Sequence, residues 1–329
     1  MRKAIRSVMT AAIGALVAAT STRVALAQSY PIKPIRLIVP SAPGGGTDIA
    51  ARLIAQGLTE SLGQAVVVDN RGGAGGIAGV TVAAKLSAAD GYTLVLGSNG
   101  HLSFASAVNP KLPYDPQKDL APISLVANQP FVLAVSAAVP ANSIREFVAL
   151  AKSKPGAITY GSGGTGSASH LGVELFQFKA GITLLHVPYK GTGPAMSALM
   201  SGELQMLMAG LATVLPQAKS GKIRVLAVSG AQRSRMAPEV PTVAEAGVPG
   251  YDFNVWYGMM APGGTPRPII NKLAGEIGRL LKAPAVLERF ATAGLEPLSD
   301  TPDEFAALLQ REIPEWHKIA KAANIRIEQ

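Results

Sequence analysis

Short apolar runs recur along the chain, separated by stretches in which apolar positions return every three or four residues. The runs Ile35–Val39, VVVD at 66–69, TLVLG at 93–97, FVLAV at 131–135, TLLHV at 183–187 and IRVLAV at 223–228 read as buried strands. Helical spacing occupies 76–87, 143–153, 168–179 and 193–201, and Thr301-Pro302-Asp303-Glu304 opens an amphipathic helix that runs to about residue 323. Strands that alternate with helices predict an α/β fold, its sheets mainly parallel with helices on both faces. Proline and glycine are dense at 238–268, yet Trp256, Tyr257 and several aliphatic residues persist there. That stretch therefore predicts an ordered loop region with one strand near Asn254–Met260.

Glycine-rich loops interrupt the pattern at three strand-to-helix junctions. VPSAPGGGTDIAARLIAQGL at 39–58 carries Gly44, Gly45 and Gly46 between a strand and a helix. ITYGSGGTGSASHLGVELFQF at 158–178 repeats the device, and DNRGGAGGIAG at 69–79 adds a third loop. Glycine permits tight turns and close backbone approach, and a helix start leaves N–H groups that favour negative charge. Such loops are candidate anion cradles, and open α/β sheets place ligands beyond the carboxyl ends of their strands. The same loops also serve as plain tight turns. Asp48 complements a helix start, and Arg71 is expected to pair with a neighbouring carboxylate or carbonyl.

Charge and composition narrow the classes. Residues 1–27 combine Arg2, Lys3 and Arg6 with the apolar stretch AAIGALVAAT and small residues at Ala25 and Ala27, the form of a secretory signal peptide cut before Gln28. Its loss lowers Lys+Arg from 30 to 26 against 21 acidic residues, a net of +5. No basic run with interleaved aromatics supports nucleic-acid binding. The chain has no cysteine, which removes disulfides, thiolate catalysis and cysteine metal sites. About 300 mature residues exceed what one core supports, so two domains are expected.

Catalytic and cofactor motifs fail on inspection. Gly161-Ser162-Gly163-Gly164-Thr165-Gly166 matches a dinucleotide fingerprint, but the next strand ends Leu185-His186-Val187-Pro188-Tyr189-Lys190 without the acidic residue a ribose needs. Gly221-Lys222 lacks the rest of a phosphate loop, and His101, His170, His186 and His317 are too scattered for a metal site. No nucleophile elbow occurs at the loops. The expectation is no cofactor, no metal and no catalytic residue. His170 reads as a local hydrogen-bonding group, and a secreted serine-type hydrolase using a loop serine with His170 is the alternative.

The ordered motifs KPIRLIVPSAPGGGTDIAARLIA, VVVDNRGGAGG, DGYTLVLGSNG, LPYDPQKDLAPISLV, YGSGGTGSASHL, HVPYKGTGPAMSALMSGELQ, EVPTVAEAGVPGYD and WYGMMAPGGTP closely resemble the Bug (TctC-like) solute-binding receptors of tripartite tricarboxylate transporters. This resemblance spans the mature chain. It implies a two-lobed, type II-like periplasmic binding fold with a ligand cleft between lobes, hinge closure, and permease subunits as membrane partners. It divides the chain into lobe I (28–126 and 227–329) and lobe II (127–226). Carried over, its ligand residues are Ser41, Ala42, Gly44, Gly45 and Thr47, then Ser98 and Asn99, in lobe I. In lobe II they are Ser162, Gly163, Gly164, Thr165, Ser167 and Ser169, with Lys190 and Ala209. Many relatives have phenylalanine at Ser41 and an aspartate after the strand Leu204–Ala209. These departures imply a larger or wetter pocket and a plain mono- or dicarboxylate rather than an amino acid. Gly45 and Gly164 are expected to tolerate no side chain.

Overall fold

The computed structural model describes residues 30–189 and 191–322. The expected signal peptide and Lys190 lie outside the described residues.

In the first lobe, β1 (Ile35–Val39), β2 (Val66–Asn70) and β3 (Thr93–Ser98) are parallel, joined by α1 (Gly46–Leu62) and α2 (Ile77–Leu86). A π-helical turn at Gly100–Phe104 leads into α3 (Ala105–Val108) and then β4 (Leu120–Gln129). The chain crosses at Pro130 into β5 (Phe131–Ser136) and builds the second lobe. This lobe holds α4 (Ile144–Ser153), β6 (Thr159–Ser162), α5 (Ala168–Ala180), β7 (Leu185–Pro188), α6 (Thr192–Ser201), β8 (Met206–Gly210), α7 (Leu211–Ala218) and β9 (Ile223–Val228). The segment 229–254 returns to β10 (Val255–Pro262), followed by α8 (Arg267–Leu280), α9 (Pro284–Thr292), β11 (Glu296–Pro297) and α10 (Pro302–Ala322).

The two sheets have the orders β11-β4-β10-β3-β1-β2 and β7-β6-β8-β5-β9. Most strands of each sheet run the same way, as expected, and the sheets are mixed only through the reversed strands β10, β11 and β5. In the first sheet β10 lies antiparallel between β3 and β4, and β11 is antiparallel to β4. In the second β5 lies antiparallel between β8 and β9. The reversed strands β5 and β10 are those that enter from the other sheet. They start at the level where the remaining long strands end: Val255 pairs with Gln129, and Phe131 pairs with Gly210. The carboxyl ends of β1, β2, β3, β6 and β8 thus converge on one cleft, and each is followed by a helix start or a glycine loop.

Burial explains why these runs form strands. Every residue of β5, β8 and β10 is buried, so each must satisfy its backbone within a sheet. An edge-to-face aromatic series of Phe131, Phe253, Trp316 and Phe104 joins the lobes, with centroid separations of 6.4, 6.0 and 5.0 Å. The chain's two tryptophans, Trp256 and Trp316, both donate to Glu312 on α10, at 2.9 and 2.8 Å. Burial raises the Glu312 carboxyl despite those two bonds. Thr301 caps α10 reciprocally: its Oγ1 accepts from Glu304 N, and its N–H donates to Glu304 Oε2 at 2.8 Å.

Candidate functional site

The first-lobe loop is open. Residues 42–45 are exposed, and Gly44 takes a positive φ of 86°. Gly44 N donates to Asp48 Oδ2 at 2.9 Å, so one of the loop's N–H groups is already used. Burial alone would raise the Asp48 carboxyl, yet bonds from Arg52, Gly44 and Asn70 hold it below the usual range. The N–H groups of Gly46 and Thr47 have no acceptor among the described residues, as expected at a helix start. Ser41 Oγ is sealed and unpartnered. A buried hydroxyl without a partner costs free energy unless something else completes it.

The reason for the glycine triplet differs by position. A Cβ at Gly46 would overlap the Tyr257 hydroxyl and stand 2.5 Å from Gln129 Oε1. Gly45 has φ −82° and nothing nearer than Ala42 O at 4.0 Å. The Tyr257 and Gln129 side chains therefore require glycine at Gly46 and the backbone conformation requires it at Gly44, while Gly45 has room. Gly164 is required by its φ of 122°.

Ser98 and Asn99 close the first lobe's side of the cleft. Ser98 N donates to His101 Nδ1 at 3.1 Å, and Ser98 Oγ lies 3.0 Å from the same atom. Burial depresses His101 to about 4 and keeps it neutral. Asn99 Oδ1 accepts from Gly100 N, and its Nδ2 donates to Asn254 O at 2.8 Å. Asn99 thus caps the π-helical turn and ties it to the returning segment. Arg71 pairs with Asp69 at 3.0 Å, the structural use expected of it.

The second-lobe loop is internally satisfied. Ser162 is fully buried, hydrogen-bonds to His186 Nε2 at 2.7 Å and accepts from Gly164 N at 3.1 Å. Gly163 N donates to Ser169 Oγ at 2.8 Å, and Gly166 N donates to His170 Nδ1 at 3.2 Å. Ser167 caps α5 and contacts Ser169 Oγ at 2.9 Å. His170 and His186 stack at 4.2 Å, with Tyr160 stacked on His186 at 4.9 Å. Burial, then the neighbouring His186, depresses His170 to about 3. Burial also lowers His186 and raises Glu174, which accepts from the Tyr160 hydroxyl. Thr165 stays exposed, and Ala209 is buried in β8 opposite Val132.

The second-lobe loop approaches the first lobe at the 69–79 loop and the π-helical turn: a Cβ at Gly75 would lie 3.6 Å from Thr165 O, and one at Gly100 3.8 Å from Gly166 O. His186 and Tyr160, which brace the second loop, were not foreseen as site residues. Gln129 and Tyr257 were not foreseen either. No spacing links them to the loops in the sequence. Ser162 and His186 form a serine–histidine contact, but the fully buried hydroxyl offers no access for a nucleophilic attack.

Comparison with known proteins fits this architecture. The family described as "Tripartite tricarboxylate transporter family receptor" matches residues 50–325. BugT of Bordetella pertussis is 39% identical over 303 residues, 92% of this chain and 93% of that protein. An R. palustris protein solved with adipate superposes with a TM-score of 0.83 at 35% identity, covering 90% of this chain and 99% of that one. MatC from Rhodopseudomonas palustris with bound malate gives 0.80 at 33% identity, covering 88% and 99%. These likenesses are to solute-binding receptors rather than enzymes. The chain belongs to the tripartite tricarboxylate transporter family of receptors.

Proposed function

We propose that this protein is a periplasmic receptor that captures a small organic mono- or dicarboxylate and delivers it to the permease subunits of a tripartite tricarboxylate-type transporter. Relatives solved with adipate and malate support the ligand class. The N-terminal pattern of residues 1–27 supports export, with cleavage before Gln28. The lobes divide at about 28–126 with 227–329 and 127–226, and they close by a hinge motion at the two crossings. In lobe I the ligand site takes Ser41, Ala42, Gly44, Gly45, Thr47, Ser98 and Asn99. In lobe II it takes Ser162, Gly163, Gly164, Thr165, Ser167, Ser169, Lys190 and Ala209. Several of these shape the site rather than touch the ligand.

One observation carries the reading. The free N–H groups of Gly46 and Thr47 lie at a helix start that opens from the exposed loop 42–45 at the carboxyl end of β1. Neutral donors at a helix start bind a carboxylate without burying a counter-charge. Calorimetry with succinate, malate, adipate, citrate and benzoate tests it on protein stripped of carried ligand. One-site binding of at least one acid is expected, with compaction in solution scattering. Silence across the whole panel overturns the reading.

A further inference from the structure

Gln129 belongs to neither glycine loop. It ends β4, one residue before the chain crosses between lobes, and is 8% exposed. Its side-chain amide lies between two glycines on opposite sides of the cleft. A Cβ at Gly46 would stand 2.5 Å from Oε1, and a Cβ at Gly210 would stand 2.5 Å from Nε2. Both positions are therefore kept bare to seat one amide.

The orientation of that amide is fixed by a hydrogen bond: the Tyr257 hydroxyl donates to Gln129 Oε1. With Oε1 occupied as acceptor, both Nε2 hydrogens point away from Tyr257, toward the Gly210 side. No described residue accepts them. That donor is held in one orientation and is not sealed, since the buried unpartnered side-chain atoms among the described residues are Ser41 Oγ and Ser103 Oγ, so it stands open to a ligand or to water. Gly46, whose own N–H has no acceptor among the described residues, lies on the Oε1 side of the same amide.

We infer that Gln129 is a specificity-determining residue of the cleft, whose Nε2 donates to a ligand carboxylate lying between the Gly46–Thr47 helix start and Gly210. Tyr257 is the positioning residue that holds the amide donor-outward. This inference rests on the carboxylate-receptor reading. It adds a requirement that the loops alone do not impose: the group at this point must be an acceptor. A ligand presenting a primary amide there would keep one acceptor, its carbonyl oxygen, and turn its NH2 on the remaining donors of the site.

Calorimetry with adipate and malate, each beside its monoamide, separates the possibilities on wild type, Gln129→Glu and Gln129→Met. Wild type should prefer the dicarboxylates. Gln129→Glu should weaken them about 100-fold, because a carboxylate then faces a carboxylate, while the monoamides lose far less since their N–H groups can donate to the new side chain. Gln129→Met should weaken the dicarboxylates about tenfold and show no such inversion. Folding of each variant is checked by thermal unfolding, and Gln129→Met decides if Gln129→Glu fails to fold. A folded variant that binds the dicarboxylates within about threefold of wild type, with unchanged preference over the monoamides, overturns the inference. A wild type that binds no carboxylate overturns the receptor reading instead.

Discussion

The two glycine loops follow one sequence design, a strand, a run of glycines and a helix, and the structure uses them in opposite ways. In the loop at 41–47 residues 42–45 are exposed, Ser41 Oγ has no partner, and the N–H groups of Gly46 and Thr47 are free. In the loop at 162–169 nearly every polar group is already bonded to a serine, a histidine or the loop's own backbone. The difference lies in what stands behind each loop. Behind the second, Tyr160, His186 and His170 stack beneath the strand end, and the ring nitrogens of the two histidines bond the loop at Ser162 and Gly166. The first loop has only Asp48 and Asn70 in that role. One loop is therefore a set of free donors and the other a rigid wall.

Acid should expose this contrast most strongly. His170 sits near 3 and His101 near 4, both through burial, against an ordinary value of 6.5. Above pH 6.5 neither the folded nor the unfolded chain protonates them, so they leave stability unchanged. Below it the unfolded chain binds protons that the folded chain refuses, and each histidine removes about 1.4 kcal/mol per pH unit until its folded value is reached. Between about pH 6.5 and 4.5 the pair should remove roughly 5 kcal/mol. Glu174, raised by burial, is protonated earlier in the folded state and offsets part of this fall. Because His170 and His186 both lie in the second lobe, amide exchange near pH 5 should accelerate across 159–188 before 93–104. A stability profile that stays flat on acidification would contradict the wall's construction.

Gly46→Val should be the most damaging single change in the open loop, because its side chain would overlap the Tyr257 hydroxyl and crowd Gln129. A loss of about 3 kcal/mol in urea unfolding is expected, with loss of ligand binding. His186→Ala strips the rigid loop of its ring support and leaves Ser162 without its partner, at a cost of about 2 kcal/mol. Its affinity should fall through loosened geometry, visible as raised amide exchange at 162–169. Gly45→Ala should change stability by less than about 0.5 kcal/mol, since its φ is ordinary and its surroundings are empty. If its affinity is also unchanged, the donors that matter begin at Gly46.

Much of this was legible in the chain. The apolar runs at 93–97, 131–135 and 223–228 became β3, β5 and β9, and Thr301 caps the last helix as its residues imply. Strand direction was not legible. A fully buried strand such as Val255–Pro262 has the same apolar character read either way, so nothing in it announces a reversed neighbour. Helix α7 was missed because it follows β8 without a loop or capping side chain, leaving Met206–Leu215 as one apolar run. The serines at 162, 167 and 169 were legible as hydroxyls beside a helix start, and Ser167 and Ser169 do bond within the loop, but Ser162 takes its partner from the neighbouring strand. His186 is 24 positions from Ser162, and Gln129 is 128 from Tyr257. Such pairings follow from sheet order, which local pattern does not encode.

The order of strands also sets a sequence of events during synthesis. β3 and β4 meet only through β10, which reaches them after the whole of the second lobe has been made. Until residue 262 is available, the first sheet is two fragments with unpaired edges, one ending in β3 and the other being β4 alone. The second sheet needs only the contiguous stretch 131–228. Local closure is faster than closure across a hundred intervening residues, so the second lobe is placed to fold first and the first lobe to seal last around the arriving strand. Val255–Pro262 is thus the closing stave of the molecule, and damage there should leave a folded half attached to an open one.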